Sequence, residues 1–249
     1  MSVFALADLH LCLSKPEKSM EVFGPPWDSY QTKIKTNWGK TVKPEDLVLI
    51  PGDIAWAGKL EEALLDLKWI DDLPGQKLMI KGNHDYWWPS ASKLKAALPP
   101  SIHCLNYDAF NFGQVSIAGT RMWDAPDFNF DTYVNSPKEF RAEKDLEKSK
   151  KIYKRELNRL KASLSCLDKT AQVKIVMTHF PPVSADLKDS QASTLLEEAG
   201  VNICVFGHLH SLKKDKKLFG EKKGIKYLLC SADYLDFQPL KIQSNSLST

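Results

Sequence analysis

Five short polar clusters carry the residue types that bind metals and move protons: Asp8-Leu9-His10, Gly52-Asp53, Gly82-Asn83-His84-Asp85, His179 and Gly207-His208-Leu209-His210. Five of the six histidines fall within them, and only His103 lies outside. A lone histidine after a strand is most often a hydrogen-bonded structural residue, but five at successive strand ends are not explained that way. Imidazoles mixed with carboxylates and one carboxamide, with no thiolate among them, suit borderline or moderately hard divalent ions such as Mn, Fe, Zn or Co. With His84 set aside, seven candidate ligands remain (Asp8, His10, Asp53, Asn83, His179, His208 and His210), more than one tetrahedral ion requires. Two ions sharing a carboxylate would use them all. Two metals about 3.5–4 Å apart activate a bridging water and stabilise the attacking and leaving oxygens of an in-line displacement at phosphorus.

Each cluster needs a strand behind it, and the sequence supplies one in every case. The apolar run Val3–Ala7 ends in Asp8, Asp46–Ile50 is broken by Pro51-Gly52 before Asp53, and Lys77–Ile80 leads into Gly82. Val173–Met177 delivers His179, and Ile203–Phe206 delivers Gly207. In extended backbone residues two apart share a face, so Asp8 with His10, and His208 with His210, are expected to converge by pleat alone. Further strands are predicted near 103–105, 115–118, 227–230 and 240–242. Helices are predicted over 29–39, 60–73, 89–98, 138–167 and 192–199. The long one carries Leu146, Tyr153, Leu157, Leu160, Leu164 and Leu167 on one stripe, with lysines on a solvated face. Strands alternating with helices predict an α/β chain, and the absence of linkers or repeats predicts one domain over residues 1–249. Residues 122–137, aromatic and acidic with no period, read as a long ordered loop, and the lysine-rich stretch 213–226 around Gly220 as a solvated hairpin.

Composition narrows the class. The 249 residues are 43% hydrophobic and 26% charged, and 34 Lys+Arg against 31 Asp+Glu leave a net charge of +3, too small to argue for nucleic acid. Five widely spaced cysteines without a C-x-x-C pair indicate a reducing, cytoplasmic setting. No stretch approaches the roughly 18 apolar residues of a membrane span. There are four arginines, Arg121, Arg141, Arg155 and Arg159, and Arg121 alone lies outside the predicted 138–167 helix. At a strand end it is a candidate for binding a phosphate oxygen, with a structural salt bridge as the alternative. Tyr86, Trp87, Trp88 and Trp123 lie near enough to stack a nucleobase, although core or wall packing is the commoner fate of such residues.

In their order, D-x-H, G-D, G-N-H-D, a lone H and G-H-x-H, the clusters resemble the calcineurin-like metallophosphoesterases, from residue 3 to about 210 and onward through the final strands. The resemblance implies a four-layer α-β-β-α sandwich, two mixed β-sheets flanked by helices. By motif position it implies that Asp8, His10, Asp53 and His210 hold one ion and Asp53, Asn83, His179 and His208 the other, with Asp53 as the bridge. His84 would sit over the phosphate to protonate the leaving oxygen or stabilise developing charge, and Asp85 would orient its loop. The cofactors implied are two divalent ions drawn from Mn, Fe, Zn, Co and Ni, with Mn favoured. The activity implied is hydrolysis of a small-molecule phosphoester, by a phosphodiesterase or a phosphatase, through a metal-bridging hydroxide. A nuclease is the alternative, disfavoured by the low net charge and the lack of an extra DNA-binding domain. A metal-stabilised, non-catalytic binding module ranks last, because every ligand and His84 are kept. The serine/threonine protein phosphatase branch reads G-D-x-x-D-R-G, whereas this chain has Trp56 and Ala57 in place of the acid and the arginine, and Asp85 in place of a glutamate. The sequence therefore looks like the bacterial-type phosphohydrolases, and His84 is expected to be steadied by something other than residue 56.

Overall fold

The computed structural model describes residues 1–135, 143–213, 215, 216 and 218–242. In chain order the elements are β1 (Val3–Ala5), α1 (Tyr30–Thr41), β2 (Leu47–Ile50), α2 (Leu60–Asp71), β3 (Gln76–Met79), α3 (Ala91–Ala97), β4 (Ile102–Cys104), β5 (Ala109–Phe112) and β6 (Val115–Thr120). They continue with α4 (Glu143–Ser165), β7 (Val173–Thr178), α5 (Gln191–Glu198), β8 (Ile203–Phe206), β9 (Gly220–Lys222), β10 (Ile225–Leu229) and β11 (Leu240–Ile242).

The strands form two mixed sheets, ordered β11-β1-β2-β3-β4 and β5-β6-β7-β8-β10-β9. In the first, β1 to β4 run parallel and β11 pairs antiparallel to β1. In the second, β6, β7, β8 and β10 run parallel between antiparallel edges. The apolar runs show no alternation because both faces of the central strands are covered. On β2, Val48 and Ile50 pack with Ile34 and Trp38 of α1 and Leu67 and Ile70 of α2, while Leu47 and Leu49 face the other sheet. On β7 the division repeats: Val176 packs with Tyr153, Leu157 and Leu160 of α4, while Ile175 and Met177 point inward. The result is four layers, helices outside and two sheets within.

Several expectations change in detail. The antiparallel edge strand β5 is additional; it turns into β6 at Gly113, whose φ of 57° is in the left-handed region. Its sequence, Ala-Phe-Asn-Phe, is too short and mixed to carry a clear period. Leu146 is 43% exposed rather than part of the buried stripe, because it lies in the opening turns of α4, ahead of the segment that meets the sheet. Residues 138–142 of that predicted helix, 136 and 137 of the predicted loop, and Lys214 and Lys217 lie outside the described residues. The lysine-rich hairpin turns at Lys223-Gly224, both with positive φ, rather than at Gly220. Among the described residues no helix is long and apolar enough to cross a membrane.

Candidate metal centre

The carboxyl ends of β1, β2, β3, β7 and β8 meet along one rim, and the turns that follow them lock to one another through the backbone. Asp8 N donates to Gly52 O at 3.0 Å, His10 N to Asp53 O at 3.0 Å, and Gly207 N to His179 O at 3.1 Å. The glycines permit this closeness: a Cβ on Gly52 would lie 2.7 Å from Gly82 Cα and 2.8 Å from His179 Nδ1. One on Gly207 would collide with the Asp8 carboxylate. Asp8, His10, Asp53 and His208 all have left-handed backbone, with φ of 59°, 44°, 51° and 74°. The i, i+2 pairs therefore converge through strained turns and not through the pleat of an extended strand.

All seven expected ligands are brought together. Asp53 Oδ2 lies 3.8 Å from His10 Nε2 and 3.4 Å from His179 Nε2. His10 Nε2 and His210 Nε2 face each other at 3.2 Å, and His210 Nε2 lies 3.9 Å from Asp8 Oδ1. Asn83 Oδ1 meets His179 Nε2 at 2.7 Å and His208 Nδ1 at 3.0 Å. Asp8, His10 and His210, and separately Asp8, Asp53 and His179, place one ligand atom per residue within 4.8 Å of one another.

These donors oppose each other unless a cation stands between them. Nδ1 of His179 faces the carbonyl of Pro51 at 2.9 Å, so it carries the ring proton. Nε2 is then turned toward Asn83 Oδ1 and Asp53 Oδ2, both acceptors. Asp8 Oδ1 is buried with no hydrogen-bond partner among the described residues. The donor set thus fits divalent metal, and in metal-free protein a proton takes that place. Burial would lower the His179 and His210 pKa values, but Asp53 beside the first and Asp233 beside the second raise both to about 9. Burial also lowers His10 to about 3, leaving a neutral imidazole whose Nε2 faces His210, and raises Asp8 to about 6. On Asp53 burial is outweighed by His179 and His10, which pull its carboxyl far below the usual range.

His84 has the most open ring of the five, its side chain 37% exposed. Its backbone N donates to Asp53 Oδ1 at 2.8 Å, and its Nε2 lies 4.0 Å from Asp53 Oδ2. Position 56 does touch it, contrary to the sequence expectation: the Trp56 ring is 4.5 Å from the His84 ring and stacks on His10 at 5.0 Å. An aromatic wall stands where the protein phosphatase branch has an acid. Asp85, fully buried, accepts from the backbone N–H groups of Gly82, Ile54 and Ala55 at 2.7, 2.9 and 3.2 Å, and from Trp87 Nε1 at 3.1 Å. It ties the turn bearing Asp53 to the turn bearing Asn83.

Residues 1–212 match the family described as calcineurin-like phosphoesterase. The chain belongs to that family. Of proteins with curated sequences, this calcineurin-like phosphoesterase is similar to the Gene 66 protein of Mycobacterium phage D29, 36% identical over 85 residues, 34% of this chain and 40% of that protein. It thus spans less than half the length of that relative. Among solved structures it is similar to a protein of unknown function from Aquifex aeolicus, at a TM-score of 0.48 and 15% identity over 96% of this chain and 95% of that one. It is also similar to the phosphopantetheinyl hydrolase PptH of Mycobacterium tuberculosis, at a TM-score of 0.49 and 12% identity over 98% and 96%.

Two carboxylates that sequence reading missed stand behind the cluster. Asp233, beyond the matched span, accepts from His210 Nδ1 at 2.8 Å and from Ser211 N at 2.9 Å, leaving Nε2 for the centre. The available signal was its position: an acid four residues after β10, as Asp8 stands three residues after β1. Asp124, in the long loop after β6, has Oδ1 3.8 Å from His208 Nε2. Of the aromatics, Trp87 is buried, Trp123 donates to Ser149 Oγ at 2.9 Å, and Tyr86 is 69% exposed. Arg121 forms an ion pair with Glu156 at 3.5 Å and stacks on Trp123 at 4.8 Å.

Proposed function

We propose that this chain hydrolyses small phosphoesters with two divalent ions, manganese favoured. One would be held by Asp8, His10, Asp53 and His210, the other by Asp53, Asn83, His179 and His208. The observation that carries this reading is the position of Asp53 Oδ2, a single oxygen facing His10 of one set and His179 of the other. Bound there, divalent ions supply positive charge to the phosphoryl oxygens and lower the pKa of an attacking water. The side chains do the rest. Asp233 and the Pro51 carbonyl hold the two imidazole tautomers that aim Nε2 inward. The exposure of His84, braced on Trp56, supports its role as the acid that protonates the leaving oxygen. Arg121, at the rim, binds phosphate oxygen. Five free thiols, four of them buried, support a cytoplasmic setting.

The nuclease alternative draws no support from the two lysines beside the hairpin turn, Lys222 and Lys223. Lys222 and Lys223 pair with Asp189 at 2.8 and 3.3 Å, and Lys223 with Glu197 at 2.9 Å, so the charge of these two is offset within the chain.

The direct test is turnover of nitrophenyl phosphate beside bis(nitrophenyl) phosphate, with manganese added and with chelator as control. Manganese-dependent turnover of either is expected, and silence on both overturns the reading. Preference for the diester assigns a phosphodiesterase, preference for the monoester a phosphatase.

A further inference from the structure

Arginine is scarce in this chain, four residues among 34 basic ones, yet three of the four converge on one carboxylate. Glu156 Oε1 is reached by Arg121 at 3.5 Å, Arg155 at 3.3 Å and Arg159 at 2.6 Å. Glu156 is 1% exposed, and its other oxygen accepts from Thr120 Oγ1 at 3.1 Å. One carboxylate balances one guanidinium. The guanidinium groups are also held in place. Arg121 lies over the Trp123 ring and Arg159 over the Tyr107 ring, each at 4.8 Å, while the side chains of Arg155 and Arg159 remain 53% and 35% exposed.

A structural role alone accounts for one arginine on Glu156, not for three, since like charges in partly desolvated surroundings repel. The cluster adjoins the candidate centre. The Arg121 carbonyl accepts from His179 N at 3.0 Å and Phe180 N at 3.1 Å. Fixed guanidinium forks with open edges match the tetrahedral oxygens of phosphate, where lysines would offer only point charges.

We propose that Arg121, Arg155 and Arg159 form a recognition subsite for a second phosphate, so that the substrate carries at least two phosphoryl groups, one at the metal centre and one here. This deepens the hydrolase reading and rests on it for the first of those groups. Glu156 acts as the internal counter-charge that holds the forks in place and leaves them net positive.

The test is calorimetric titration of the manganese-loaded full chain with adenosine 3′,5′-bisphosphate and with adenosine 5′-monophosphate, beside a nitrophenyl phosphate assay. The bisphosphate is expected to bind about tenfold tighter, as one added charged hydrogen-bonded contact warrants. The double variant Arg155→Gln/Arg159→Gln should reduce that preference to within about twofold. Arg155→Gln alone, at a half-exposed position, should lower it about threefold and guards against loss of fold in the double variant. Glu156→Gln should change it in the opposite direction, which no unfolding imitates. Equal affinity for the two nucleotides in the parent chain, or a preference that survives the double variant, overturns the subsite. A preference retained by a chain that hydrolyses neither nitrophenyl substrate supports the subsite and overturns the hydrolase reading instead.

Discussion

Asp53 and Glu156 are both buried carboxylates near the same rim, and they keep opposite company. Around Asp53 stand imidazoles with inward lone pairs, the Asn83 carbonyl oxygen and the Asp8 carboxylate, so acceptors outnumber donors. Around Glu156 stand three guanidinium groups, so donors outnumber acceptors. The acid is common to both, and the surplus around it tells the two apart. The first arrangement suits a cation and the second an anion, and the proposed substrate, drawn to metal at one and to arginine at the other, would answer both.

The largest expected effect comes from removing the acid that the two proposed ligand sets share. Asp53→Asn should lower nitrophenyl phosphate turnover about 10³-fold, because several kcal/mol of charge stabilisation depend on metal held there. Metal content by emission spectroscopy should fall with it, and full turnover would break the contrast at its first pole. His84→Ala removes the ring facing Asp53 but keeps the backbone N–H that Asp53 accepts and leaves every proposed ligand in place. Turnover should drop about 10²-fold with metal content unchanged, and the basic limb of the pH–rate profile should flatten, as loss of a general acid requires. Asp233→Asn leaves an acceptor oxygen but removes the charge behind His210. Metal affinity should weaken about tenfold, read by competition with a chelating dye.

A third buried acid has neither kind of company, and the smallest effect belongs to it. Asp66 accepts from Leu13 N at 2.8 Å, and burial raises its pKa to about 6. Its folded pKa lies above the unfolded value, so the folded state binds the proton more tightly and stability from this group declines as pH rises from about 4 through 6. Asp66→Asn keeps the acceptor and removes the charge. It should be neutral near pH 4 and stabilising by about 1 kcal/mol near pH 8, seen as a melting-temperature gap that opens with pH. A gap that closes instead would show that this acid, too, has a cationic partner.

The sequence made the strand ends legible because Gly-Asp, Gly-Asn-His-Asp and Gly-His-x-His combine a chain-breaking glycine with side chains that have few uses other than chemistry. Nearly every helix and strand followed from apolar spacing, β5 excepted for want of a period. The manner of convergence was not legible. Left-handed φ at Asp8, His10, Asp53 and His208 is imposed by neighbouring turns that pair with them, and residue type alone favours extended backbone at those positions. Asp233 was hidden because an aspartate in Ser231-Ala232-Asp233 looks like any surface turn until His210, 23 residues away in sequence, is seen beside it. Trp56 was read only as the absence of an acid. Its ring is itself a contact, since aromatic packing on two imidazoles leaves no motif.

His10 and His210 meet across 200 residues of chain, and β11 closes the sheet edge beside β1. A ribosome adding about 5–20 residues per second would synthesise the second imidazole roughly 10–40 s after the first. The emerging chain therefore carries Asp8, His10 and Asp53 well before it can gather the full ligand set. On the proposed reading, metal meets its full set of side chains only after residue 210 has been made.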